Sequence, residues 1–249
     1  MALMRVGAPV WLSRGMTSVA DNLDSVRHRI DAACLAAGRD PSQVRLLPVS
    51  KTHPASAVLD AVAAGYTRFG ENRVQEAMGK WQELHEGHPE IEWVIIGHLQ
   101  TNKARDVARF ATEVSSLDSV KLARDLARRL DREGRQIDVL IEVNSSGEPQ
   151  KSGVAPSEAP ALARELVGMD TLRVKGLMTV AVNSPDRARV AACFQTMQDL
   201  QQRLRQEAPA PSSWDELSMG MSGDFEQAIA HGATVVRVGT AIFGARDYS

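Results

Sequence analysis

Three short stretches hold residues whose types and spacing could do chemistry together. The first is LLPVSKTHP (46–54), an apolar run that ends in Ser50 and Lys51. Lysine is rarely buried unless paired or chemically used. Over an apolar wall the ammonium form is disfavoured, so the pKa falls, and the neutral amine becomes a nucleophile toward carbonyls. The alternative is a lysine that carries its charge out into solvent. The second stretch is SMGMSGDFEQAI (218–229). Ser222 stands where a helix should begin, as an N-cap, and Gly220 and Gly223 allow close backbone approach. The third is VRVGTAIFG (236–244), where Gly239 and Thr240 offer backbone N–H groups and a hydroxyl. The second and third stretches together read as an anion site of the kind that binds phosphate. Taken singly, each is equally a plain helix cap or turn. Arg237 lies two residues before Gly239, so strand alternation puts both on one face. An inward arginine needs a partner: a ring nitrogen, a carboxylate, or a neighbouring strand's acid.

The elements that must position these groups alternate along the chain. Strand-like runs fall at 45–51, 67–72, 92–98, 112–118, 137–144, 172–180, 216–222 and 234–244, with amphipathic helices between them. The first helix spans 19–37 and is stopped by Gly38 and Pro41. In the helix at 119–134, Leu122, Leu126 and Leu130 form the buried side; in the helix at 185–207, Val190, Phe194, Met197, Leu200 and Leu204 share a face. This alternation in a chain of 249 residues predicts an α/β fold, a single (β/α)8 TIM barrel. An open doubly wound sheet is the alternative, but its Gly-rich first turn is missing. The barrel puts Lys51 at the mouth, and the loops after strands seven and eight on the same face. Among the other lysines, Lys80, Lys103 and Lys121 fall on helices and are expected to be solvated. Lys175 is inside strand six, and Lys151 is in a polar loop.

Bulk composition narrows the function. The formal net charge is -2, which gives no global basic field for nucleic acid or an anionic membrane. Cys34 and Cys193 form no metal or redox spacing, which fits a reducing compartment. HEGH (85–88) reads as a polar turn, and the arginine-rich run 124–135 as a solvated helix face. No run approaches bilayer length, so the cytoplasm is the expected location. Residues 1–15 read as a flexible upstream extension, and 16–249 as the barrel.

The motifs LPVSKTHP, FGENRVQEA, WVIIGHLQTNKA, VNSSGEPQKSG, GLMTV, SMGMSGDFEQAI and VRVGTAIFGARDYS, in this order over about residues 18–249, together resemble the pyridoxal-phosphate homeostasis family. That family consists of single-domain relatives of the alanine racemase barrel. The resemblance implies that Lys51 forms a Schiff base with pyridoxal 5'-phosphate (PLP). It also implies that Ser222, Gly239 and Thr240 hold the phosphate and that Arg237 faces the pyridine nitrogen. Asn72, Ile96, His98, Ser218 and Met219 would line or flank the pocket.

The family is thought to carry, buffer or deliver the cofactor, which makes PLP-dependent apoenzymes the expected recipients. A monomer or weak homodimer is expected. An arginine at the ring nitrogen opposes its protonation and weakens the ring as an electron sink. Racemases of this type add a tyrosine base from a second domain. The tyrosines here, Tyr66 and Tyr248, lie before strand two and at the C-terminus. Little or no turnover is therefore expected. A PLP-dependent amino-acid racemase, and a Schiff-base enzyme acting on a sugar phosphate, are the alternatives. Lys151 is a further candidate: on a mobile loop at the mouth it would accept the aldehyde from Lys51, against the plainer reading of a solvated loop lysine.

Overall fold

The computed structural model describes residues 18–207 and 212–245. The extension at 1–15, Tyr248 and part of the loop before strand seven lie outside the described residues. Eight parallel strands form the sheet: β1 Arg45–Pro48, β2 Arg68–Glu71, β3 Glu92–Ile95, β4 Glu113–Leu117, β5 Ile137–Glu142, β6 Leu172–Met178, β7 Glu216–Ser218 and β8 Val235–Val238. Their order is β1-β8-β7-β6-β5-β4-β3-β2. A single parallel bridge, Val49 to Gly70, brings the two ends together, so the sheet is a nearly closed barrel. Nine α-helices among the described residues surround it: α1 Val19–Ala36, α2 Ala55–Ala63, α3 Val74–Leu84, α4 Ala104–Phe110, α5 Val120–Glu133, α6 Ala159–Leu166, α7 Arg187–Glu207, α8 Phe225–Ala230 and α9 Thr240–Phe243.

Alternation along the strands builds the two cores. Phe69, Trp93 and Val236 face the helices and join the main apolar cluster. That cluster takes in the predicted faces Leu122, Leu126 and Leu130 of α5, and Val190, Phe194, Met197, Leu200 and Leu204 of α7. Burying one such leucine contributes about 1.5–3 kcal/mol. Leu47, Val94 and Val235 form a separate small cluster inside the barrel, with Ile96 packed against it. At one end of this plug lie the ion pairs Arg45–Glu216 and Arg68–Glu113. At the other end lie Arg237 and the mouth. Inward residues stacked in layers are the expected filling of such a barrel. Lys51, in register with inward Leu47 and Val49, belongs to the mouth end.

Every strand ends before the run expected from its sequence, and β1 and β8 show how. β1 stops at Pro48, and Lys51 lies in a turn closed by His53 N donating to Ser50 O at 3.1 Å. β8 stops at Val238, and Thr240–Phe243 turns into α9, with Ile242 N donating to Gly239 O at 2.8 Å. At β8 the apolar run continues into α9 after the ladder has ended, so hydropathy overstates the strand.

Candidate functional site

The mouth holds a cavity of about 370 Å³. Lys51, Asn72, Ile96, Ser222, Arg237, Gly239 and Thr240 all line it, drawn from the ends of β1, β2, β3, β7 and β8. Val49, Val180, Met221 and Gly223 complete the lining. Val49, Val180 and Met221 were not singled out from sequence. For Val49 the signal was available, since it shares the inward parity of Leu47 and Lys51.

Arg237 is the most constrained of these side chains. It is buried, and its Nη1 donates to Ser218 O at 2.7 Å and to Ser218 Oγ at 2.8 Å. Its Nη2 donates to Thr179 O at 2.7 Å. Burial pulls its pKa down to about 10, opposed by Asp224, Glu142 and Glu113, so the guanidinium stays charged at neutral pH. The partners expected from sequence were an acid or a ring nitrogen; its direct bonds go instead to carbonyls and a hydroxyl. Glu142, at the end of β5, is pushed up to about 7, mainly by burial and then by Asp118.

Ser222 is not the N-cap of α8. That position belongs to Asp224, and Ser222 stands in the preceding turn. Asp224 accepts from Met221 N at 2.6 Å, and burial raises its carboxyl. The bond ties the turn back on itself and leaves the Ser222 side chain facing the cavity. Gly220, at φ 93°, has a packing reason: a Cβ there would lie 2.7 Å from Ala228 Cβ, so the helix could not approach. Gly239 likewise brings the chain against Val49, whose carbonyl would lie 3.0 Å from a Cβ. Thr240 and Ala241 open α9, and a helix's first amides have no intrahelical acceptor.

Three expected residues do not line the cavity. His98 is exposed and its Nδ1 lies 3.1 Å from Asp118. Met219 is fully buried in the core. Ser218 is buried behind the wall, bonded to Arg237. Inward and outward positions alternate only while the strand lasts, and these residues lie at or past strand ends. Lys151 is neither in the cavity nor freely solvated. Its Nζ donates to Ala181 O at 2.8 Å and pairs with Glu148 at 2.7 Å.

The largest departure is Lys80. Expected on a solvated face, it is 6% exposed and bonded to Glu71, Glu76 and Ser50 O. The signal was present: Val74, Ala77, Lys80 and Leu84 form one helical stripe, all buried.

The donor set defines what the cavity can take. Among the described residues that line it, two are cationic, two carry hydroxyls and none carries a carboxylate. Val49, Ile96, Val180 and Met221 add apolar surface. A phosphate ester on a flat apolar ring fits that combination, with an amine beside it.

This is a (β/α)8 barrel with its cavity at the C-terminal mouth, and the family model for the alanine racemase N-terminal domain matches residues 22–247. The chain is 45% identical over 233 residues to the pyridoxal phosphate homeostasis protein of Pseudomonas aeruginosa, covering 94% of this chain and 98% of the relative. Against the protein of the same name from Vibrio cholerae it is 43% identical over 236 residues, covering 94% and 99%. The solved structure of PipY from Synechococcus elongatus, with PLP bound, is 36% identical with a TM-score of 0.79, covering 91% of this chain and 100% of that one. The chain therefore belongs to the pyridoxal phosphate homeostasis protein family. No helix among the described residues is long and apolar enough to cross a membrane.

Proposed function

We propose that this protein binds PLP as a Schiff base on Lys51 and serves cytoplasmic PLP homeostasis as a carrier or buffer, with little or no turnover. The observation that carries the reading is the cavity itself: Lys51, Arg237, Ser222 and Thr240 converge on an apolar-walled space whose described lining has no acid. The names of the relatives and the PLP-bound PipY structure support it.

In this reading the Ser222 and Thr240 hydroxyls, with amides of the Ser222–Gly223 turn and of the first turn of α9, hold the phosphate. Ile96 and Val49 pack against the ring, and Asn72 lines its edge. When bound, the cofactor supplies an aldehyde that condenses with the Lys51 amine, releasing water. Arg237 holds a fixed positive charge toward the ring nitrogen. Ser218 and the Thr179 carbonyl keep it there, which opposes protonation of that nitrogen and makes the ring a weak electron sink. That favours storage and delivery to PLP-dependent apoenzymes over amino-acid chemistry.

The test is the visible spectrum of the purified chain with PLP added and the excess removed, beside Lys51→Ala. The expected result is a yellow imine band in the wild type that borohydride bleaches, leaving the label on Lys51, with no band in the variant. Ser222→Ala with Thr240→Val should weaken PLP binding by about tenfold or more. The same pair should leave binding of unphosphorylated pyridoxal nearly unchanged. A colourless wild type would overturn the reading and favour a Schiff-base sugar-phosphate enzyme. Exchange of an amino acid's α-proton with heavy water at enzymic rates would favour a racemase.

A further inference from the structure

Lys51 belongs to a turn that is gripped on both sides from outside the barrel. Lys51 lines the cavity, while Ser50 is fully buried and bonded to Lys80 of α3. Beneath α3, Lys80 Nζ donates to Ser50 O at 2.7 Å, to Glu71 Oε1 at 2.6 Å and to Glu76 Oε1 at 3.0 Å. An ammonium group has three N–H donors, so these contacts account for all of them. Ser50 Oγ also donates to Glu71 Oε1, at 2.6 Å. On the far side of Lys51, Thr52 N donates to Glu76 Oε1. The same two carboxylates and one ammonium therefore hold the residue before Lys51 and the residue after it.

Thr52 shows what this grip resists. Its φ is 66°, a left-handed conformation that a β-branched residue adopts only when its surroundings compel it. Without the Glu76 acceptor, Thr52 would relax toward negative φ, and that rotation swings the adjoining Lys51. A buried ion pair that served stability alone would not need to end on the backbone atoms of residues 50 and 52.

We propose that Lys80, Glu71 and Glu76 form a positioning clamp that fixes the turn around Lys51 through Ser50 and Thr52, so that the Lys51 amine is presented into the cavity in the geometry for condensation with an aldehyde. The proposal rests on the reading of Lys51 given above. Lys80 and the two glutamates are positioning residues, and none of them lines the cavity.

Two probes separate positioning from general stability: PLP, and pyridoxine 5'-phosphate, which carries the same ring and phosphate but no aldehyde. Glu76→Ala, at a partly exposed site, should weaken PLP binding and slow borohydride-trapped labelling of Lys51 by about tenfold, while pyridoxine 5'-phosphate affinity stays within about twofold. Lys80→Met should act in the same direction and more strongly. Adding Thr52→Gly to Glu76→Ala should restore most of the loss, because glycine holds positive φ without help. Unchanged PLP binding in Glu76→Ala would overturn the clamp. So would equal loss of both probes, since that marks a structural effect, and Glu76→Ala decides the matter if Lys80→Met fails to fold. If the wild type itself carries no label on Lys51, the functional reading fails instead. Amide hydrogen exchange of Thr52 in the unliganded chain then judges the clamp: exchange about tenfold faster in Glu76→Ala supports it, and an unchanged rate overturns it.

Discussion

Arg237 Nη1 reaches both the carbonyl oxygen and the hydroxyl of Ser218, at 2.7 and 2.8 Å, across the β7–β8 boundary. The pair links the floor of the cavity to a strand whose own ladder is only three residues long. A buried guanidinium is tolerable because carbonyl oxygens take its protons, and those carbonyls are in turn satisfied by it.

Replacing this arginine should therefore affect stability as well as the cavity. Arg237→Met keeps the stem but leaves Ser218 O and Thr179 O without this donor. A loss of about 2–4 kcal/mol in unfolding free energy is expected, read from urea denaturation. A loss below about 0.5 kcal/mol would mean that the carbonyls find other partners.

Glu142 should give the fold a pH dependence of definite sign. Its carboxyl is raised to about 7 by burial first and Asp118 second, against the pull of Arg237. A raised acid favours the protonated native state, so its contribution is complete below the ordinary glutamate value of about 4.5. It is lost as pH climbs through about 7 and then levels off. The difference in unfolding free energy between wild type and Glu142→Gln should thus move against the wild type by about 3 kcal/mol from pH 4.5 to 8. A flat difference would show that the native protein does not raise the Glu142 carboxyl above its unfolded value.

Gly97 should be irreplaceable for reasons of space. A Cβ there would overlap Asn72 O and lie 2.9 Å from Asn72 Cα. Ser116 Oγ holds Gly97 O at 2.7 Å, so the end of β3 cannot easily retreat. Gly97→Ala should cost about 1–3 kcal/mol by thermal or urea unfolding. It should also weaken PLP binding, because Asn72 lines the cavity. Normal stability and normal binding together would contradict the packing described.

The site was unevenly legible before folding. Seven of the ten residues singled out for the pocket converge on one cavity, because each stands at the C-terminal tip of an inward-facing strand position or in the loop after it. His98 and Met219 miss it because strand parity no longer holds once the ladder ends.

By itself the sequence determined that eight strands alternate with helices, and the apolar faces of α5 and α7, since these follow from hydrophobic periodicity along the chain. The motifs likewise singled out Lys51, Arg237 and Thr240, which line one cavity. Only the tertiary structure decided what holds them. Lys80 is separated from Ser50 by thirty residues, and its charge became buried because the Ser50 carbonyl and Glu71 of β2 meet it beneath α3, beside Glu76 one turn back on its own helix. Local pattern records which residues can be buried. Which charges meet once buried depends on contacts between elements distant in the chain, and periodicity carries no information about those.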